Sequence, residues 1–319
     1  MIKFGVLIDD DPVKEYLNQL TGEKPFEISG FYKQKEKPGI EPALIPVGKR
    51  FNSFDELLEK SDAILFLGGN YPDAEKVIRA TKRFKHIFLS EALNIDDSSY
   101  YKMLKLAQEA SIVVSFGNPL LYNTAFLSLS SEIIRPAHIE IRRKNKPESK
   151  SDNNIARVLI KDFEFLLSVV NANPKKIVQG GIGEHSDIPT MINTRIEFDN
   201  GCSASLIYNY LHDEEKHYLH IYQKAKHFFI DFLNLETKIY QLENRSDNPN
   251  KMDCNNPYVR TRKSDLDSIN PYRAEIMAFY NSLSGRTEPM VSFEKSLEAL
   301  ELANKVMDRL LVSKDQIAL

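Results

Sequence analysis

Short apolar runs alternate with stretches of helical spacing over the first 117 residues. Lys3-Phe4-Gly5-Val6-Leu7-Ile8 is a continuous apolar run of the length of one buried strand. Residues 13–20 then place apolar positions at helical intervals. Further strands are expected at 26–32, 44–47, 62–67, 86–89 and 112–116. Helices are expected over 54–60, over 72–83, and from Asp96 or Asp97 to 110. Ser53, with Glu56 three residues on, has the form of a capping box. Lys33 opens a charged turn that runs to Gly39. Buried strands alternating with helices predict a parallel, doubly wound sheet.

After Gly117-Asn118-Pro119 the pattern changes. A helix is expected over 120–134, an amphipathic strand over 137–144, and a mobile polar loop over 145–153. Residues 155–170 form a helix with Val158, Leu159, Phe163, Leu166 and Leu167 on its apolar face. Strand patterns follow at 176–180, 190–198, 203–210, 216–223, 225–232 and 238–242, with hairpin turns at Asp199-Asn200-Gly201 and at Lys224. Successive hairpins imply an open, mostly antiparallel sheet. Residues 243–268 read as polar loop, and helices close the chain at 272–283 and 292–311. The predicted fold is α/β: a Rossmann-like parallel sheet in 1–118, then an α/β domain with an open antiparallel sheet in 119–319.

Composition narrows the function classes. The chain has 319 residues, enough for two domains, each with its own core. Its net charge of −3 lacks the concentrated basic footprint of a nucleic-acid binder. No apolar run approaches the roughly 20 residues of a membrane span. The N-terminus enters a strand at once, without a signal-peptide pattern, so a cytoplasmic protein is expected. Cys202 and Cys254 could pair, but two thiols in a chain of this size more often read as free cysteines in a reducing cytoplasm.

A strand, a tight turn and a helix at the N-terminus begin a dinucleotide-binding domain. Here the turn that would be glycine-rich reads Asp9-Asp10-Asp11-Pro12-Val13-Lys14. Carboxylates there would face a pyrophosphate. One like-charge pair at about 4 Å costs up to roughly 4 kcal/mol at an effective dielectric of about 20. Asp at a helix start also serves as a cap, so the turn is read first as a structural helix entry and second as an altered nucleotide site. His212, His217 and His220 do not predict a metal site, because His217 and His220, three apart in a strand, point to opposite faces. Tyr208, Tyr210, Tyr218, Tyr222, Phe228, Phe229 and Phe232 form an aromatic set on the open sheet, as core or as a self-associating face.

The order of these pieces resembles the glucose–fructose oxidoreductase and inositol dehydrogenase family (Gfo/Idh/MocA). Ser61-Asp62-Ala63-Ile64-Leu65-Phe66 is similar to its fourth strand. Lys85-His86-Ile87-Phe88-Leu89 is similar to the strand before its Glu-Lys-Pro. Asn118-Pro119-Leu120-Leu121-Tyr122-Asn123 resembles the crossover into its second domain, and Ile196-Glu197-Phe198-Asp199-Asn200-Gly201-Cys202 its phe-x-asn-gly hairpin. Residues 275–283, Pro289-x-Val291-Ser292 and the last helix resemble its C-terminal return to the first domain. The resemblance implies NAD(P)-dependent oxidation or reduction of a sugar-like or small hydroxyl/carbonyl substrate. It also implies a homodimer through the C-terminal sheet.

The positions that would carry this chemistry depart from the family's pattern. Its glycine turn falls on Asp9 to Asp11, just after Ile8. Its ribose-binding acid falls on Lys33, and its Thr-Pro on Gly68-Gly69, with Asp73 where a His follows. Its catalytic lysine falls on Glu91, and its Asp-x-x-x-His pair on Arg157 and Lys161, beside Asp162. The implied cofactor site is therefore Ile8, Asp9, Asp11, Lys33, Gly68 and Gly69, and the implied catalytic positions are Glu91 and Lys161. Three readings follow. The first is a relative without the activity, a pseudoenzyme that needs no NAD or NADP. The second is an active enzyme using Lys33 for a 2′-phosphate and Glu91 or Lys161 for proton transfer. The third is an anion site formed by Arg157 and Lys161. Ion pairs Glu91–Lys161 and Asp162–Arg157 would count against the third.

Overall fold

The computed structural model describes residues 1–8, 14–33, 48–68, 71–93, 97–146, 152–182, 189–241, 258–263 and 269–312. The chain divides into two units: Met1–Pro119 with Asn270–Leu300, and Leu120–Ile269 with Glu301–Leu319. Residues 270–300 rejoin the first unit, a whole helix and the start of the last one.

In the first unit the elements run β1 (Lys3–Ile8), α1 (Lys14–Gln19), β2 (Glu27–Lys33), β3 (Lys49–Arg50), α2 (Phe54–Glu59), β4 (Ala63–Leu67), α3 (Ala74–Lys82), β5 (His86–Leu89), α4 (Asp97–Glu109) and β6 (Val114–Phe116). The strands form one sheet in the order β3-β2-β1-β4-β5-β6, with every neighbouring pair parallel. This is the doubly wound order of a Rossmann sheet. The strand expected at 44–47 lies outside the described residues. Phe4 to Ile8 of β1 and all of β4 are buried, as strands covered on both faces must be. Ser53 caps α2, its Oγ accepting from Glu56 N–H at 3.1 Å. The return arm of the box is displaced by one residue: the Glu56 carboxylate accepts from Asn52 N–H at 3.0 Å.

The core of this unit is aromatic. Phe4 stacks on Phe26 with centroids 4.4 Å apart, and Phe279 packs 5.6 Å from Phe4. Phe279 lies on α7 (Pro271–Leu283), which Asn270 caps. Tyr16 of α1 packs edge-on to Phe88 and to Tyr272. Within this apolar setting Glu275 of α7 is 2% exposed. Its two carboxylate oxygens accept short hydrogen bonds from Tyr16 Oη–H and from Asn118 N–H, after β6. Burial, then the Glu275 charge, raises the Tyr16 phenol well above its ordinary range and keeps it a donor. Gly117 leaves room for the arrangement, since a Cβ there would stand 2.5 Å from Tyr16 Oη.

The second unit begins within a 3-10 turn at Pro119–Tyr122, followed by α5 (Thr124–Ser130). The single helix expected over 120–134 is broken because the Asn123 side chain caps α5, accepting from Ala125 N–H at 2.9 Å. Then come β7 (His138–Lys144), α6 (Asp152–Val170), β8 (Pro174–Ile182), β9 (Met191–Phe198), β10 (Ser203–Asn209), β11 (Lys216–Gln223), β12 (Lys226–Asp231), β13 (Glu236–Gln241) and β14 (Tyr258–Lys263). The eight strands order as β14-β13-β12-β11-β7-β10-β9-β8. Only the β7–β10 pair is parallel.

Strand β14 falls within the stretch expected as loop. It has little apolar pattern of its own, and its ladder with β13 defines it. Of the loop expected over 145–153, residues 147–151 lie outside the described residues, and α6 begins at Asp152. Burial alternates strictly along β9 and β10, so one sheet face is core and the other open. The last helix, α8, spans Phe293–Val312. Among the described residues no helix is long and apolar enough to cross a membrane.

Replacing Glu275 with Ala strands the Tyr16 hydroxyl and the Asn118 N–H without their acceptor. The expected loss is about 3 kcal/mol of folding stability, read as a lowered denaturation midpoint with an unchanged slope.

Candidate functional site

In the first unit the ends of three strands come level. Ile8 closes β1 opposite Lys33 of β2 on one side and Leu67 of β4 on the other. The strand order reverses here, where this architecture forms its ligand crevice. Ile8 and Leu67 are fully buried and Lys33 is partly exposed. Asp9, Asp10, Asp11 and Gly69 lie outside the described residues.

Beyond β4, the Gly68 N–H donates to Ser90 Oγ at 3.1 Å. The Ser90 hydroxyl lies 2.8 Å from Gly68 O and 3.0 Å from Phe66 O, its acceptors. Ser90 thus ties the end of β5 to the backbone after β4. This takes up the Gly68 N–H internally. Sequence reading missed this role; a buried Ser at a strand end is its only trace.

Glu91 follows, half-buried, and its charge reaches the Tyr16 and Tyr272 phenols. The Tyr272 phenol is raised by burial first, then by Glu15, Glu275 and Glu91. Asp73 is the N-cap of α3: its carboxylate accepts from Glu75 N–H at 3.0 Å and pairs with Lys76 at 2.6 Å.

In the second unit, α6 carries Arg157, Lys161 and Asp162. Lys161 pairs with the fully buried Glu164 at 3.7 Å. The Asp162 carboxylate, itself without exposure, receives Arg143 as a fork: Nε to Oδ2 and Nη2 to Oδ1, both at 2.7 Å. Tyr208 Oη–H adds a third bond at 2.9 Å. Asp162 is thus committed to Arg143 and Tyr208, whereas Arg157 was the partner weighed in the sequence. Burial disfavours the Arg143 charge, but Asp162 outweighs it and holds the guanidinium protonated.

Register explains the cluster. Arg143 stands directly opposite Tyr208 on β10 and His217 on β11, all on the core face. His217 is buried against the Phe232 ring, at 4.6 Å. Burial, then Arg143, pushes its pKa well below the ordinary value, so it is neutral. The traceable signal was Arg143 on the same side of its strand as Ile139 and Ile141.

The remaining candidates separate by face. His212 sits in an exposed turn, 3.0 Å from Asp213, while His217 faces the core and His220 the open side. Among the described residues no three metal-ligating side chains gather. The aromatic set splits in the same way. Tyr208, Tyr210, Phe228 and Phe232 are core; Tyr218, Tyr222 and Phe229 line the open face. Cys202 is a free, buried thiol whose pKa burial raises to about 11. Cys254 lies outside the described residues.

No protein-family profile matches the chain. UDP-N-acetylglucosamine 3-dehydrogenase from Acidithiobacillus ferrooxidans is 23% identical over 264 residues, covering 81% of this chain and 82% of that one. The solved structure of that enzyme, GnnA, superposes with a TM-score of 0.83 at 20% identity, covering 98% of each chain. The chain has the Gfo/Idh/MocA fold. A dehydrogenase (MviM) from Clostridium difficile shares that fold, with a TM-score of 0.80 at 15% identity over 97% of this chain and 99% of that one. So does a putative NADPH-dependent oxidoreductase from Desulfitobacterium hafniense, with a TM-score of 0.79 at 14% identity over 97% and 95%.

Replacing Asp162 with Ala leaves Arg143 largely buried without its counter-charge. The expected penalty is about 3–5 kcal/mol. The double replacement of Arg143 by Met and Asp162 by Leu recovers most of it, which a double-mutant cycle in urea measures.

Proposed function

We propose that this protein is a non-catalytic binding or regulatory relative of the Gfo/Idh/MocA dehydrogenases. It keeps their architecture without their hydride chemistry. The observation that carries this reading is on α6: Lys161, the cation at the position of the family's histidine, is paired with the buried Glu164. Glu91, at the position of the family's lysine, is a carboxylic acid. Asp9 to Asp11 oppose a pyrophosphate, and Ser90 already takes the Gly68 N–H. These residues do not suit a dinucleotide held in the family's manner. The pairing of Lys161 also counts against an anion site shared with Arg157. We further propose a homodimer through the open sheet face, in a reducing cytoplasm that suits the free Cys202.

Thermal-shift titration with NAD⁺, NADH, NADP⁺ and NADPH tests the reading. A true ligand at about 100 times its Kd stabilises the native state by about 2.7 kcal/mol. No saturable shift is expected from any of the four; one from any of them overturns the reading.

One observation favours a second reading, an active NADP(H)-dependent oxidoreductase acting on a nucleotide sugar. Lys33 stands at the end of β2, level with Ile8, where a cation would meet a 2′-phosphate. The likeness to a UDP-N-acetylglucosamine 3-dehydrogenase over 81% of the chain supplies the substrate class. On this reading Lys33→Ala weakens NADPH about tenfold, roughly 1.4 kcal/mol, and leaves NADH unchanged. Equal loss for both nucleotides, or no binding of either, excludes it.

A further inference from the structure

The open face of the eight-stranded sheet carries four rings in one row. Tyr222 of β11 stands opposite His138 of β7 and His227 of β12, and His227 stands opposite Tyr240 of β13. Their centroids are 6.0, 4.3 and 5.0 Å apart along the row. Tyr222 and His227 lie within 4° of parallel. His227 is therefore held between two tyrosine faces.

Its edge is held as well. His227 Nε2 is 3.0 Å from His220 Nδ1. The two imidazole planes differ by only 15°, with centroids 5.3 Å apart. Nearly coplanar rings with nitrogens facing each other share a single hydrogen between them: one nitrogen donates N–H and the other offers its lone pair. A metal would need both lone pairs to converge on a third point, and here they face one another. If both rings were imidazolium, two hydrogens and two charges would meet across the same gap.

We propose that His220 and His227 form a one-proton switch, which orders the aromatic row while they share a proton and opens it when a second proton binds. The surroundings support this. Burial lowers both rings below the ordinary histidine value, and His227, also opposed by His220, falls to about 4. From β7, Glu140 favours protonation of both rings, while Arg142 opposes it at His220; the two are themselves paired at 2.7 Å. His138, also on β7, is lowered by burial and by Arg195 of β9. On β13, Lys238 lies over the Phe229 ring, 5.5 Å from its centroid, and pairs with Glu236 at 3.1 Å. On β11, Lys216 pairs with Glu214 at 2.6 Å; on β12, Asp231 holds its own turn through Asn234. Glu140 is thus the carboxylate that acts on both rings.

The sign follows from the lowered values. The folded face favours neutral rings, so its stabilisation is complete above the ordinary histidine pKa of about 6.5. It is lost as pH falls toward about 4. If a second copy covers this face, which rests on the dimer proposed above, acid also releases the copies.

The test pairs NMR titration of the histidine rings from about pH 8 to about pH 3 with sedimentation of the same protein over the range in which it stays folded. The expected result is a coupled titration, the second step at least about one pH unit below the first. His220→Gln removes the second charge, and His227 then titrates about one unit higher. His227→Phe keeps the stack and abolishes the coupled step. Between about pH 7.5 and pH 5 the dimer Kd rises about tenfold or more in the parent chain and changes little in His227→Phe. Independent titration of both rings near the ordinary value overturns the switch and leaves a dimer standing. So does a shift of both rings on adding one equivalent of Zn²⁺, which would show a chelate. A chain that is monomeric throughout, with the coupled titration intact, overturns the dimer and leaves the switch standing.

Discussion

A carboxylate removed from water must meet donors on both oxygens, or its desolvation outweighs what its charge contributes. Each unit of this protein holds a carboxylate under that constraint. In the first, Glu275 joins three separate parts of the chain: α1 through Tyr16, the end of β6 through Asn118, and α7 on which it sits. In the second, Asp162 joins α6 to β7 through Arg143 and to β10 through Tyr208. Apolar packing around each would tolerate some sliding of helix on sheet. A fork of two bonds at 2.7 Å has one position that satisfies it.

The same demand for partners is met at the positions that the family resemblance singles out. Lys161, next to Asp162, pairs with Glu164, and Asp73 caps α3. The Gly68 N–H goes to Ser90. These groups are engaged in holding local structure, within hydrogen-bond or ion-pair distance of their neighbours. The architecture itself depends on burial, register and buried paired carboxylates such as Glu275 and Asp162. UDP-N-acetylglucosamine 3-dehydrogenase from Acidithiobacillus ferrooxidans shares that architecture at 20% identity, as expected where packing constrains residue character more than residue identity.

The candidate site was legible in part. The strand-end positions Ile8, Lys33 and Gly68 could be named because a buried parallel strand stops where its apolar run stops. Ser90 could not, because a serine's partners depend on which two strands lie side by side. Asp162 was visible beside Lys161, but its partner was not. Arg143 lies nineteen residues away on another element, and the helix offered Arg157 as a nearer cation. The open face shows the same limit. The aromatic residues were plain in the sequence. Their division between core and open side follows strand parity, and the row His138-Tyr222-His227-Tyr240 needs the order of four strands.

By itself the sequence determined the alternation of buried strands and helices, the change of texture after Gly117, and the absence of glycines from the first turn. These depend on local spacing and residue type, which a chain carries with it. Only the tertiary structure decided that β14 is a strand, that the last helix is shared between the two units, and that Glu275 and Asp162 are paired. It also decided that His220 faces His227 across 3.0 Å. Those outcomes depend on which distant segments become neighbours, and a hydrogen bond or shared proton exists only once both partners are in place.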